Sequence, residues 1–162
     1  MKNRKSEFNS DDWATPPYLY KQLNDRFNFN FDPCPLQHDT NEWDGLQISW
    51  KRRNFINPPY DRKLKTAFVE KAIEESKKSK LCVCLLPVST STKLFHERIL
   101  PNATEISFIK GRVQFIGINS KGQYVNWNLW EREAPENDVE HVKASGQHDS
   151  MLVIFDGRMN KK

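Results

Sequence analysis

Residues 54–60, Asn-Phe-Ile-Asn-Pro-Pro-Tyr, are the stretch that decides how the rest of the chain is arranged. An apolar run that meets two consecutive prolines is typical of a buried strand that ends abruptly. Proline has no N–H to donate to a neighbouring strand and holds φ near about −65°. The strand is therefore predicted to end before Pro58, which leaves Asn57 at its carboxyl end. Ligands of open α/β sheets bind at that edge, so Asn57 is the first candidate for a functional side chain.

The four residues Asn57, Pro58, Pro59 and Tyr60 suit methyl transfer to a planar amine. The nitrogen of such an amine is a poor nucleophile because its lone pair is delocalised. Two acceptors aimed at its hydrogens, the Asn57 side-chain oxygen and the Pro58 carbonyl, would stabilise the pyramidal nitrogen that attacks. Tyr60 would stack on a base, which is worth about 1–3 kcal/mol. The competing interpretation is an ordinary proline-terminated strand followed by a partly buried tyrosine.

Length and composition set the frame for this site. A chain of 162 residues predicts one domain with a single core. There are 25 Lys and Arg against 21 Asp and Glu, which gives a net charge of +4. This mild basic excess permits a polyanionic partner without requiring one. The five Trp, ten Phe and four Tyr serve packing and base stacking alike.

Cysteine usage and hydropathy favour a cytoplasmic protein. Cys82 and Cys84 lie two apart in an apolar run and are expected to be core residues on one face of a strand, whereas Cys34 stands alone. Nothing in this pattern indicates disulfides. No apolar run is long enough to span a bilayer, and no signal peptide is expected. No second His or Cys lies at ligand spacing from Cys34 and His38, so no metal site is expected.

The remaining segments predict an open α/β sheet with flanking helices. Thr15 is expected to cap a helix whose first residue is Pro16. Further helices are expected over 61–80 and 89–100, and further strands over 27–31, 81–87, 104–109, 113–118 and 151–155, the last closing the sheet. Residues 1–11 are expected to be a loose arm, and 119–149 a variable insertion.

Two groups of side chains outside the central stretch are candidates for binding. Asp32, which ends the 27–31 strand before Pro33, could meet an amino group or ribose hydroxyls of a cofactor. The helix start at Thr15 would seat a carboxylate. Lys110 and Arg112 flank a glycine and could contact phosphate, with a solvated turn as the equal alternative.

Taken in order, the motifs resemble the phage-type DNA N-6-adenine methyltransferase (Dam-like) family. The resemblance covers roughly residues 12–118 and 150–155. It rests on Trp13-Ala-Thr-Pro-Pro, Phe31-Asp-Pro-Cys-Pro, Asp44-Gly45-Leu46 with Trp50, Asn57-Pro-Pro-Tyr, Leu85-Leu-Pro, Phe108-Ile-Lys-Gly-Arg and Ser150-Met-Leu-Val-Ile-Phe.

The resemblance implies a single domain over 1–162 with a compact, truncated Rossmann-like methyltransferase sheet. It also implies S-adenosylmethionine as methyl donor and a base flipped out of double-stranded DNA, in the cytoplasm of a bacterial host, with the gene carried by a phage or prophage. Asn57, Pro58, Pro59 and Tyr60 resemble the catalytic motif. The residues that correspond to the donor site are Trp13, Thr15, Pro16, Asp32, Pro33, Cys34 and Asp44. Lys110, Arg112 and Trp127 are candidates for DNA contact, and 119–149 for target recognition.

One departure from methyltransferases at large concerns the donor site. Prolines replace the usual glycine-rich turn after the first strand, so donor binding is less directly predicted than the catalytic motif. Three alternatives remain open at this point. They are methylation of another planar amine (an RNA base or a glutamine amide), carbon-5 methylation of cytosine with Cys34 as nucleophile, and a DNA-binding module without catalytic activity.

Overall fold

A computed structural model of the chain describes residues 14–35, 38–113, 115, 117–118, 124–125 and 148–159. Its centre is a four-stranded mixed sheet with the order β1-β2-β6-β3. The strands of this sheet are β1 (Arg53–Ile56), β2 (Leu81–Pro87), β3 (Glu105–Phe108) and β6 (Ser150–Asp156), and a separate two-stranded ribbon consists of β4 (Gly117–Ile118) and β5 (Tyr124–Val125).

The helices are α1 (Pro17–Phe27), α2 (Arg62–Ser76) and a helical segment over 94–102. The 94–102 segment is π-helical over Leu94–Ile99 and α-helical over Leu100–Asn102. A 3₁₀ turn, Gly157–Met159, follows β6. The protein is thus a mixed α/β structure, as the sequence predicted at that level.

Strand β2 is buried on both faces, because successive side chains of a strand point to opposite sides. Cys82, Cys84 and Leu86 belong to the core cluster that includes α2. Leu81 and Leu85 belong to the opposite cluster, which includes α1. The prediction that the two cysteines are core residues on one face of a strand is therefore confirmed. The sheet lies between two apolar layers, as in α/β domains.

Helix α2 begins at Arg62, with only Asp61 between it and Tyr60. The Asp61 carboxylate accepts a hydrogen bond from the Leu64 backbone N–H at 2.9 Å, which satisfies one free donor at the helix start. Phe68, Val69 and Ile73 lie on its buried side. Leu64, in the first turn of α2, is 42 % exposed.

The strand predicted over 27–31 is wrong. Helix α1 continues through Phe27, and Asn28 ends it in the left-handed conformation with φ 52° and ψ 60°. Asparagine adopts this conformation more readily than most residues, which makes it a good helix terminator. Only Phe31 pairs with β1, through a parallel bridge to Asn54. The alternation of Phe and Asn thus reflects a helix end and a short strand-like contact rather than a strand.

Strand β6 does not close the sheet; it lies in the middle. It pairs antiparallel with β2 on one side and with β3 on the other, so that Leu152 is opposite both Leu85 and Ser107. The pairing is antiparallel, so β6 starts at the edge where β2 ends, with Ser150 opposite Pro87. A strand buried on all sides is consistent with its uninterrupted apolar sequence.

Two further boundaries differ from prediction. The helix expected over 89–100 begins only at Leu94, because Thr92 and the residues before it form a turn in which the Thr92 hydroxyl donates to the Ser89 carbonyl. Of the strand expected over 113–118, the described residues show Gly117–Ile118 as strand, while Val113 and Phe115 pack into the α1-side core. The predicted loose arm over 1–11 and most of 119–149 lie outside the described residues.

Candidate active site

The end of β1 places the central asparagine as predicted. The strand stops at Ile56, and Asn57 follows immediately with only 8 % of its surface exposed. Pro58 is buried, and Pro59 and Tyr60 are partly buried. Because β1 and β2 are parallel, this residue lies at the carboxyl edge of both strands.

Thr15 fixes the orientation of the Asn57 amide. The amide Nδ2 donates a hydrogen bond to the Thr15 hydroxyl oxygen at 3.2 Å. The prediction that Thr15 caps α1 is wrong. The N-cap is Pro16, without a side-chain cap, and Pro17 is the first helical residue. A residue that precedes proline is disfavoured in the helical region, and Pro16 is accordingly extended at ψ 143°. The hydroxyl is thus available to the asparagine across 42 positions of sequence.

The segment around Asp32 forms a second wall of the site. It follows the Phe31 bridge and runs parallel to β1, which brings it to the same edge. One oxygen of the Asp32 carboxylate accepts a hydrogen bond from the Cys34 backbone N–H at 2.9 Å. The Cys34 thiol donates to the Asn57 carbonyl oxygen at 3.3 Å. The segment is thereby attached directly to Asn57 of the predicted catalytic motif.

These segments enclose a cavity of about 230 Å³. It is lined by Ala14, Thr15, Tyr20, Asp32, Cys34, Pro35, Phe55 and Asn57. The structure therefore brings the predicted catalytic asparagine together with three of the residues predicted for the donor site. The volume is below the roughly 300–1,000 Å³ of pockets that enclose a drug-sized ligand. The described cavity is therefore sized for one portion of such a ligand.

Tyr20 is a site residue that the sequence analysis missed. It lies one helical turn after Pro16, so a helix that starts there places its side chain over the same end of the sheet. Its ring contacts Phe55 edge-on, with 5.3 Å between centroids and an angle of 80°. The spacing from Thr15 was the available signal, but the assignment depended on knowing that Thr15 faces Asn57.

The cavity carries one buried carboxylate. Burial raises the pKa of Asp32 to about 6, although the Cys34 N–H and the nearby His38 favour the charged form. Burial, together with the charge of Asp32, also raises the pKa of the Tyr20 hydroxyl. A carboxylate that is partly withdrawn from water gains from a cationic or N–H and O–H donating ligand. This electrostatic environment fits a ligand with an ammonium group or hydroxyls.

Tyr60 faces a different part of the site. Its ring lies nearly perpendicular to those of Phe115 and His148, with centroids 5.7 Å and 6.4 Å away. The hydroxyl is buried and has no hydrogen-bond partner among the described residues. Burial raises the pKa of Tyr60, so the phenol is neutral. Tyr60 is not part of the cavity lining, and its predicted stacking on a base stays a prediction.

The other predicted donor-site residues are placed less directly. Pro33 is buried against Gly45, where an added Cβ would lie 1.9 Å from the Pro33 carbonyl oxygen. The Asp44 carboxylate accepts a hydrogen bond from the Leu46 N–H at 2.9 Å within its own turn. Neither Asp44 nor Pro16 lines the cavity. Trp13 lies outside the described residues.

The predicted DNA contacts lie on an exposed turn. Gly111 has φ +76°, which explains the glycine between Lys110 and Arg112. Both basic side chains are exposed, and the Arg112 Nε lies 3.7 Å from a carboxylate oxygen of Asp149. Trp127 lies outside the described residues, so this group of contacts remains a prediction.

Within the described ranges, no group of three or more His, Cys, Asp or Glu side chains is arranged to hold a metal ion. None of the helices there combines the length and apolar character that a membrane span needs.

A strand-end amide beside a partly buried carboxylate and a small cavity is the site of a ligand-binding α/β protein, and the comparisons identify its class. The family model for DNA N-6-adenine-methyltransferase (Dam) matches residues 2–132. The chain belongs to this family of DNA adenine methyltransferases, which confirms the resemblance inferred from the motifs. The matched range ends at residue 132, within the predicted 119–149 insertion. It therefore extends past the 12–118 segment on which the resemblance rested, but it does not include residues 150–155.

The relationship extends to a full-length relative. A DNA N-6-adenine-methyltransferase of Haemophilus phage HP1 (strain HP1c1) is 33 % identical over 158 residues, which cover 86 % of this chain and 89 % of that protein. No solved structure matches the chain. The Rossmann-like character expected of the sheet therefore stays a prediction.

Proposed function

We propose that the protein transfers the methyl group of S-adenosylmethionine to the exocyclic N6 of adenine in double-stranded DNA, with the base flipped into the site. The observation that carries the proposal is the Asn57 amide, 8 % exposed at the carboxyl end of β1 and held by Thr15 in the wall of the cavity. Family membership supports the choice of adenine in DNA.

Asn57 and Pro58 have the role of acceptors for the two hydrogens of N6. The Asn57 Nδ2 donates its hydrogen bond to the Thr15 hydroxyl, which fixes the orientation of the amide group. The amide oxygen therefore points away from Thr15. An acceptor held in advance costs no reorganisation when the nitrogen becomes pyramidal. While Asn57 and Pro58 hold N6, its lone pair would form a bond to the methyl carbon as the carbon–sulfur bond breaks with its electrons left on sulfur, and one N6 proton would pass to water.

The residues around the cavity fit the proposed donor. When bound, S-adenosylmethionine supplies an electrophilic methyl group on a sulfonium sulfur. The Asp32 carboxylate would accept hydrogen bonds from the donor's ammonium group or its ribose hydroxyls. Tyr20 and Phe55 supply aromatic surface for the rest of that portion. The cavity is small, so Asp44, Trp13 and Pro16 stay as further donor-site candidates.

The fold is consistent with a truncated Rossmann-like sheet, which is our reading of its topology. β1 and β2 are parallel with α2 between them in sequence, and the site lies at their carboxyl ends. This is where open α/β sheets bind ligands. A DNA substrate would place the reaction in the cytoplasm of a phage-infected bacterium, as predicted.

The test is incubation of the protein with tritiated S-adenosylmethionine and a panel of DNA, RNA and protein, followed by digestion to nucleosides and amino acids. We expect label in N6-methyladenine from DNA. Label in RNA or in glutamine would change the substrate and keep the amine chemistry. Label in 5-methylcytosine, abolished by Cys34→Ala, would overturn the mechanism. DNA binding without label or donor binding would indicate an inactive module.

Asn57→Ala tests the assigned chemistry directly. Removal of one preorganised hydrogen-bonding group costs on the order of 10²–10³-fold in turnover. Asn41→Ala, at an exposed loop position, is the matched control and should keep normal turnover. Full activity of Asn57→Ala would show that the strand-end amide is not catalytic.

A further inference from the structure

A second, larger cleft lies on the α2 side of the same sheet edge. Its volume is about 900 Å³, and its walls are the first half of α2 and the 94–102 segment. Leu86, Pro87 and Met151 form its apolar floor at the end of β2 and the start of β6. The proposed catalytic and donor residues do not line it.

The cleft is strongly basic. Five cationic side chains line it: Arg62, Lys63, Lys65, Lys93 and Arg98. Two acidic residues, Glu70 and Glu97, line it as well.

These charges are only partly compensated inside the cleft. Arg98 is compensated by Glu70, with 3.3 Å between Nε and Oε1. Among the described residues, no ion pair compensates Arg62, Lys63, Lys65 or Lys93. Among the residues that the structure describes, most of the positive charge of the cleft is therefore not held in an ion pair.

The cations of α2 also crowd one another. Burial, together with the charge of Arg62, lowers the pKa of Lys65. An anion placed beside Lys65 would reverse this effect, because an opposite charge favours the ammonium form. A negatively charged ligand bound beside Lys65 would therefore be favoured by the local charge.

The position of the cleft relates it to the catalytic motif. Arg62 and Lys63 follow Tyr60 directly in sequence. The parallel pairing of β1 and β2 ends at Ile56 and Cys84, and Leu86 and Pro87 of the cleft floor lie two and three residues further along β2. Neighbouring strands lie about 4.8 Å apart. A base held at Asn57 would thus have its flanking backbone within reach of the cleft.

We propose that this basic cleft binds the phosphate backbone of the DNA strand next to the target base. The inference rests on the proposed function and adds a contact surface separate from Lys110 and Arg112. Its occupant is a polyanion, since four uncompensated cations line walls above an apolar floor. The sugar-phosphate chain supplies both the charge and the apolar sugar edges that such a cleft fits.

The test compares two double variants of the full chain that remove the same charge. Lys63→Gln with Lys93→Gln removes two exposed cations of the cleft. Arg52→Gln with Lys77→Gln removes two exposed cations elsewhere, before β1 and after α2. Binding of a fluorescent DNA duplex is measured by anisotropy between 50 and 300 mM salt (about a sixfold range of salt concentration).

For the cleft variant we expect the slope of log K against log salt to fall by about 1.8, since each phosphate contact contributes about 0.9. Affinity at 0.1 M salt should fall roughly 10–60-fold. Turnover at saturating DNA and donor affinity by calorimetry should both be normal, and the control variant should bind like the original protein.

Three results would overturn the proposal. Equal slopes for the cleft variant and the original protein would remove the cleft and leave the proposed function standing. Equal losses in the cleft and control variants would mean that only net charge matters. Absence of DNA binding by the unaltered protein would remove both proposals together.

Discussion

Replacing Glu75 with glutamine should destabilise the fold by about 2 kcal/mol at neutral pH. The Glu75 side chain is 1 % exposed near the end of α2. Its carboxylate accepts hydrogen bonds from the Trp50 backbone N–H at 2.7 Å, from Lys80 Nζ at 2.6 Å and from Lys78 Nζ at 2.9 Å. Lys71 Nζ lies at 3.5 Å. A glutamine at this position would place an NH₂ group, itself a donor, against an ammonium.

The size of the effect follows from the pKa of the carboxyl group. Burial alone would raise the pKa of Glu75, but the hydrogen bonds from Lys80, Trp50 and Lys78 hold it at about 2, against an ordinary 4.5. Since one pK unit is about 1.4 kcal/mol, this difference corresponds to about 3 kcal/mol. Lys78 is 58 % exposed and its charge is screened by water, so we expect about 2 kcal/mol.

The pH dependence has a definite sign. A carboxyl group with a lowered pKa in the folded state stabilises the fold above its unfolded pKa. That stability is lost as the pH falls through the folded value. The difference between the original protein and Glu75→Gln should therefore be full at pH 7, shrink below about 4.5 and be nearly gone near pH 2.

The assay is urea unfolding followed by circular dichroism, with thermal melts expected to shift by about 4–8 °C. Glu74→Gln is the control, since Glu74 is 61 % exposed and its ion pair among the described residues is a surface contact with Lys77 at 3.5 Å. It should change stability by less than about 0.5 kcal/mol. Equal stabilities of Glu75→Gln and the control, or a difference unchanged between pH 7 and pH 3, would refute the reasoning.

Three further predictions concern the site itself. Tyr60→Ala should raise KM for DNA about tenfold or more, because stacking on the base is lost. Tyr60→Phe should have a nearly normal KM, because the hydroxyl has no hydrogen-bond partner among the described residues. An equal rise of KM in both variants would assign the role to the hydroxyl. Thr15→Val should lower kcat about tenfold, since it removes the hydrogen bond that orients the Asn57 amide, and Thr15→Ser should restore it. Asp32→Asn should raise the melting temperature at pH 8 but not at pH 3.5, because a raised pKa makes the charged form costly above about 6. The same variant should weaken donor binding by calorimetry, and unchanged binding would remove Asp32 from the donor site.

The sequence was sufficient where local chemistry decides the outcome. Two consecutive prolines end a strand whatever its neighbours are, because they have no N–H to donate. The position of Asn57 at the end of β1 could therefore be predicted from residues 54–60 alone. The apolar run of β2 likewise predicted a strand buried on both faces. The helix end at Asn28 was also local, but alternating Phe and Asn match a strand and a helix cap equally well.

The sequence was insufficient where distant segments decide. β6 pairs with β2 across more than sixty residues, and an apolar strand gives no sign of whether it lies at the edge or in the middle of a sheet. Thr15 was assigned to a helix cap because capping is the local role of threonine. Its contact with Asn57 depends on how α1 is placed against β1, which periodicity does not determine.

The position of Asn57 between two different surfaces bears on how the reaction is arranged. On one side of β1 lie the Phe31 bridge and the cavity with Asp32; on the other side lie β2 and the basic cleft. Direct methyl transfer requires the attacking nitrogen and the departing sulfur on opposite sides of the methyl carbon. A donor that approaches from the cavity and a base whose backbone lies along the cleft satisfy that requirement, with the strand-end amide between them. The kinetic effects should therefore separate, with Asp32 governing donor affinity, Lys63 and Lys93 governing DNA affinity, and Asn57 governing turnover.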